Sequence, residues 1–130
     1  MGFFVSGTSA FTAKIDQLIN TNDVRFTDVL YNEGNDYNST TGVFTCRIPG
    51  IYWFSATLYG HSGGWCFILL NDLQNALVGM SGSTYDSGTG SEVFRLKPGD
   101  RVQLGQCTDP SHLAGSNINT FAGVLVKAYG

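Results

Sequence analysis

Charge is scarce in this chain: 13% of its 130 residues are Asp, Glu, Lys or Arg, and seven basic against ten acidic side chains leave a formal net charge of −3. The phosphate backbone of nucleic acid would meet net repulsion, so nucleic acid is not expected as a partner. Long apolar runs are lacking as well. Even WCFILL, from Trp65 to Leu70, stops at Asn71 and Asp72, far short of the roughly 20 residues that cross a bilayer, and no membrane insertion is expected. The opening MGFFVSG has neither a positive n-region nor a long apolar h-region and does not read as a signal peptide. Only three cysteines occur, Cys46, Cys66 and Cys107, with no CxxC pair among them. That excludes a zinc knuckle or a disulfide-dense mini-domain and leaves room for one internal bridge at most. The two histidines, His61 and His112, are not at metal-ligand spacing, and HExxH, Walker A and GxGxxG strings are all missing, so a dedicated catalytic metal is not expected. Linkers, charge blocks and internal repeats are missing too, and residues 1–130 read as a single domain.

What is present points to strands. Seventeen glycines against three prolines, with 13% aromatic residues, suit many short strands and tight turns better than a helical bundle. Polar punctuation recurs at NTND near 20, NEGNDYNSTTG from 32, IPG at 48, HSGG at 61, GSTYDSGTGS from 82, KPGD at 97 and TDPSHLAGSN from 108. The stretches between are β-formers: 43–48, 51–59, 65–70, 92–97, 101–107 and 119–129. In EVFRLK, Phe94 and Leu96 alternate with Arg95 and Lys97, and in RVQL, Val102 and Leu104 alternate with Arg101 and Gln103, the period of a half-buried strand. Pro98-Gly99 between them fits the centre of a type II turn, joining either a hairpin or two strands of different sheets. WCFILL is apolar throughout, which predicts a strand covered on both faces by a second sheet or by a partner subunit. AFTAKIDQLIN (10–20) is the one segment with a helical stripe, through Phe11, Ile15, Leu18 and Ile19, and competes with an N-terminal strand. The expected fold is all-β, a two-layer sandwich or jelly roll.

Two short motifs carry chemistry. Gly60-His61-Ser62-Gly63-Gly64 matches the G-x-S-x-G string of a nucleophile elbow, but that serine needs a strand leading into a helix, and here a strand follows. With two histidines and no helix to carry the elbow, the chain is not expected to be an enzyme. Asn38-Ser39-Thr40 is an N-glycosylation sequon in a predicted turn, in agreement with a secreted protein.

The stretch 26–54, FTDVLYNEGNDYNSTTGVFTCRIPGIYWF, places Phe26, Asn32, Tyr37, Phe44, Gly50, Tyr52 and Phe54 at intervals that closely resemble the signature of the globular C1q domain, of the complement and tumour-necrosis-factor superfamily. One position departs: the aromatic usual after Phe54 is Ala56. SAFTAKI (9–15), LKPGDRVQL (96–104) and TFAGVLV (120–126) resemble that family's first strand, penultimate hairpin region and last strand. The resemblance implies a ten-stranded jelly-roll β-sandwich that assembles as a homotrimer and is secreted, here without a collagen stalk. It favours a strand over a helix at 10–20. Tyr52, Phe54 and Phe121 would then pack the core or the seam between subunits. Cys46 and Cys66 stand where complement subunits often have cysteines, whereas the third departs. Because the strands resembling those of Cys66 and Cys107 are neighbours in the family's outer sheet, the resemblance implies a Cys66–Cys107 bridge or close thiol pair, with three reduced, buried thiols as the alternative.

The candidate ligand-binding residues are expected in loops: Tyr59, His61 and Trp65 flanking one glycine-rich loop, Tyr85 with Asp86 in a second, and Asp109 with His112 in a third. In a jelly roll these loops would share one end of the sandwich. Aromatics stack on the C–H faces of sugars while carboxylate, amide and imidazole groups pair with hydroxyls. Resemblance to stand-alone, lectin-like members implies a glycan or microbial surface polysaccharide as ligand, in innate immune pattern recognition. The alternative is a cytokine- or synaptic-type trimer that engages a protein receptor, and a structural or storage protein is a third class that fits. Calcium, which needs only oxygens, is a cofactor these loops could hold, with Asp86 and Asp109 as ligands.

Overall fold

Even-numbered residues from Tyr52 to Leu58 are fully buried, while Trp53, Ser55 and Thr57 between them are not, so the alternation of a strand with one face on a core runs through the middle of the chain. The computed structural model describes residues 7–15, 24–61, 64–79, 85–108 and 119–129. Within them lie β1 (Ala10–Lys14), β2 (Asp28–Glu33), β3 (Tyr37–Asn38), β4 (Val43–Thr45), β5 (Gly50–His61), β6 (Trp65–Leu70), β7 (Leu73–Gly79), β8 (Tyr85–Leu96), β9 (Arg101–Gly105) and β10 (Thr120–Ala128). The first sheet has the order β2-β1-β10-β5-β8 and the second β3-β4-β9-β6-β7, with antiparallel pairing throughout. This is the jelly-roll sandwich that the sequence predicts.

The N-terminal ambiguity resolves in favour of a strand. Phe11 and Ala13 are buried while Ala10, Thr12 and Lys14 are only partly so, and β1 is paired on both sides, by β10 and β2. Period two wins because the partner strands supply a face for Phe11. Residues 16–20 of that segment lie outside the described residues.

Aromatic side chains fill the space between the sheets. Phe11 stacks on Tyr37 at 4.5 Å and meets Phe121 edge-on at 5.1 Å, and Phe44 meets Phe54 edge-on at 5.1 Å. Tyr52, Phe54 and Phe121 are all fully buried within one chain, so they belong to the core rather than to a seam between subunits. The Tyr37 hydroxyl donates to the Phe26 carbonyl at 2.8 Å and accepts from the Phe26 N–H at 3.0 Å. The Asn32 side chain bonds both ways to the Tyr37 backbone, at 2.6 and 3.2 Å. Phe26, Asn32, Tyr37, Phe44, Tyr52 and Phe54 of the 26–54 stretch thus join one cluster, while Gly50 opens β5 against the end of β10.

Pro98-Gly99 forms the expected tight turn, with Gly99 at φ +94° and the Asp100 N–H bonded to the Lys97 carbonyl at 3.1 Å. It joins β8 of the first sheet to β9 of the second, which settles the choice between a hairpin and a crossing.

Two sequence expectations are corrected here, and one strand is added. The segment from 82, read as a loop, contains the first half of β8, whose Gly88 and Gly90 sit where β7 passes close by. A Cβ on Gly88 would run into the Gly79 carbonyl, and one on Gly90 would lie 2.6 Å from the Leu77 carbonyl. These glycines serve a close backbone approach rather than a turn. The strand β7 was not legible, because its apolar side chains face out: Leu73 is 70% and Leu77 56% exposed. Finally, within one chain a second sheet covers only one face of WCFILL. Cys66 and Ile68 face the core, whereas Trp65 is exposed and Leu69, buried outside the main cluster, lies between Gln74 and Gln103 of the neighbouring strands.

Candidate functional site

The outer face of the first sheet is apolar over a continuous stretch. Trp53 pairs with Val93 on β8 and Val124 on β10, Val124 pairs in turn with Ala10, and Thr12 beside it pairs with Tyr31 on β2. All five strands contribute. Trp53 is 48% exposed, and Tyr31, Val93 and Val124 are also open to solvent. A shallow groove of about 190 Å³ runs through this face, with Tyr31, Trp53, Ser55, Ala122 and Val124 along its walls. Further along, the same face becomes hydroxylic, and the Thr57 and Thr89 hydroxyls lie 3.0 Å apart.

Trp65 opens β6 on the opposite sheet and is 41% exposed. Its cross-strand partner is Gly79, which has no side chain to cover the indole. The Trp65 backbone is clamped: its N–H donates to the Thr108 hydroxyl at 3.2 Å, and its carbonyl accepts from the Thr108 N–H at 2.9 Å. Between these clamps, Cys66 and Cys107 are joined by a disulfide, with Cα atoms 4.0 Å apart, and Cys46 is the free, buried thiol. Phe67 and Leu77 pair beyond Trp65. On the same sheet a polar chain runs from Gln74 to Gln106 at 2.8 Å, from Gln106 to the Asp72 carbonyl at 3.1 Å, and from Gln103 to the Asp72 carboxylate at 3.2 Å. Thr108, which holds the Trp65 backbone, had no sequence signal, since pairing across the sheet alone brings it there.

The expected loop site is therefore split. Tyr59 and His61 lie in β5 and Tyr85 and Asp86 in β8, where His61 pairs with Tyr85, Gly60 with Asp86 and Tyr59 with Ser87. They are ladder residues rather than loop residues, because β5 and β8 run on to residues 61 and 85. Tyr59 follows Trp53, Ser55 and Thr57 at two-residue steps, and its N–H is held by the Asn119 side chain at 2.7 Å. Trp65 belongs to the other sheet, although the chain connection puts it at the same end of the sandwich. Asp109 and His112 lie outside the described residues, and the structure does not describe the side chains of His61, Tyr85 and Asp86. Among the described residues no three His, Cys, Asp or Glu side chains come together as a metal would require; the pairing of Asp86 with Asp109 falls outside what those residues describe. The G-x-S-x-G string runs from β5 to β6, two strands. Among the described residues no helix is long and apolar enough to cross a membrane.

The perturbed titrating groups belong to the scaffold. Burial pushes the Tyr37 phenol up to about 12, against the lowering effect of its bond to Phe26. Burial also raises Tyr52, whose hydroxyl donates to the Ile48 carbonyl at 2.6 Å, and raises the Cys46 thiol that lies 3.8 Å from that hydroxyl. For Asp100 burial acts upward, but the Lys97 N–H, the Asn71 amide and the Lys97 ammonium together hold the carboxyl below its ordinary value.

Comparison with known proteins adds a family and a set of folds. The family model of the C1q domain matches residues 10–126. The globular domain of a zebrafish complement 1qA protein is similar in structure, with a TM-score of 0.72 and 23% identity over 94% of this chain and 99% of that one. Two crystal structures of murine APRIL, at pH 8.5 and pH 5.0, are similar with TM-scores of 0.69 and 0.67, each at 14% identity over 92% of this chain and 99% of that one.

Proposed function

The chain belongs to the C1q domain family, and on that premise we propose that it is a secreted, homotrimeric recognition domain that binds glycans, microbial surface polysaccharides among them, and catalyses nothing. The observation that carries this reading is the placement of two half-open indoles on opposite faces of the sandwich. Trp53 sits in the apolar face of the first sheet, and Trp65 sits in a clamped, uncrowded position on the second. Soluble domains rarely leave an apolar patch of this extent bare, and self-association through the first sheet covers it. The indole of Trp65 then stays outside, three copies per assembly. One half-open ring makes a weak sugar site, and repetition raises apparent affinity on the order of 100-fold or more where a repeating ligand engages several sites at once. Tyr59 belongs to the self-association face and is left out of the sugar site.

A glycan array probed with the purified protein tests the reading. Selective binding that Trp65→Ala abolishes while the assembly stays intact supports it. An array without signal, together with a protein partner recovered by pull-down, would replace it with the receptor-ligand alternative.

A further inference from the structure

We propose that Asn38 carries an N-linked oligosaccharide, at the free edge of the second sheet and clear of both the first-sheet face and Trp65. The inference rests on the secretory route included in the function proposed above, and not on the glycan-binding part of it. Asn38-Ser39-Thr40 has the acceptor sequence, and the fold presents it. Asn38 is the second residue of β3, the edge strand of its sheet. Its neighbour Tyr37 is buried in the core, so alternation turns Asn38 to solvent, and it is exposed. The carboxamide is also oriented. Its Oδ1 accepts from the Thr40 N–H at 2.9 Å, an Asx turn that engages the carbonyl oxygen rather than Nδ2. The turn itself is held through the Asn38 main chain, whose carbonyl accepts from the Gly42 N–H at 2.7 Å. An extension at Nδ2 therefore breaks no contact that closes the hairpin.

Placement decides what the glycan leaves alone. The order β3-β4-β9-β6 sets Asn38 three strands from Trp65, roughly 14 Å at the usual strand spacing. The apolar face of Trp53 belongs to the other sheet. An edge strand offers unpaired backbone groups to other chains, and a bulky hydrophilic group beside it shields them. The step joins Asn38 Nδ2 to the anomeric carbon of an oligosaccharide donor activated as a lipid pyrophosphate. The bond from that carbon to the pyrophosphate oxygen breaks, the leaving group takes the electron pair, and one amide proton passes to a base.

The test is expression of the full chain behind a secretory leader in a eukaryotic host, with peptide mass mapping of material from the medium and from the secretory compartments. The expected result is a glycan on the peptide containing Asn38, removed by peptide-N-glycosidase with conversion of Asn38 to Asp, lost in Asn38→Gln and Thr40→Ala, and kept in Ser39→Ala. Sedimentation of the glycosylated chain and of Asn38→Gln is expected to give the same assembly. An unmodified Asn38 in either fraction overturns the modification. A glycosylated chain that fails to assemble where Asn38→Gln assembles overturns the placement. Neither result depends on any glycan array.

Discussion

Replacing Trp53 by alanine should dissociate the assembly while leaving each subunit folded. Trp53 is 48% exposed in the single chain. A tryptophan offers roughly 150 to 250 Å² for burial, so association would remove about 100 Å² more of each indole from water. At ~25 cal/mol per Å² that is roughly 2.5 kcal/mol per subunit, or about 8 kcal/mol for three copies. Since 1.4 kcal/mol is a factor of ten, the trimer association constant should fall on the order of a million-fold. That constant carries concentration squared, so the midpoint of dissociation rises roughly a thousand-fold. Sedimentation velocity across a dilution series of wild type and Trp53→Ala reads this shift directly. Circular dichroism and the intact Cys66–Cys107 bridge report the fold of the variant. Unchanged sedimentation would refute the assignment of this face to self-association, and loss of the β spectrum would show that Trp53 belongs to the core after all.

Other outcomes follow from the scaffold. The Cys66–Cys107 bridge closes a loop with a sequence separation of 41, so Cys66→Ser with Cys107→Ser should cost about 4 kcal/mol in urea denaturation; a loss under ~1 kcal/mol would mean that the bridge constrains little. Tyr37→Phe leaves the Phe26 N–H and carbonyl without their hydroxyl partner and should cost about 2 kcal/mol. The raised phenol contributes stability that is complete below the unfolded value of 10.0 and is lost as pH rises toward about 12. The phenylalanine variant should therefore show a flatter alkaline limb of thermal stability, and an unchanged limb would sink this assignment. Asp100 works in the other direction: its lowered carboxyl stabilises above the ordinary aspartate range and loses that contribution as pH falls through the folded value. Asp100→Asn should be less stable than wild type at neutral pH, with the gap closing in acid; a gap constant with pH would point to packing alone.

Legibility in the sequence followed burial. Where one face of a strand meets the core and the other meets water, as at Phe94 and Leu96 or Val102 and Leu104, alternation was visible residue by residue. The spaced set Phe26, Asn32, Tyr37, Phe44 and Phe54 was legible because one cluster demands all of those residues. Strand β7 was hidden, since Leu73 and Leu77 face outward, and so was the start of β8, where Gly88 and Gly90 serve a neighbouring backbone rather than a turn. That second misreading also displaced the candidate site: once Tyr85 and Asp86 are ladder residues, the loop cluster divides between two sheets. The neighbours of Trp65 come from register between β6, β7 and β9, which depends on bulges and pairings that no local stretch encodes.

The two tryptophans of this chain provide the most direct test. They are nearly equally open in one subunit, 48% at Trp53 and 41% at Trp65, so any large difference between them in solution must come from association. Acrylamide quenching of Trp53→Phe and Trp65→Phe, each leaving a single indole, should find Trp53 shielded and Trp65 accessible at micromolar protein, with the difference vanishing on dilution. Equal quenching of the two at every concentration would contradict the account.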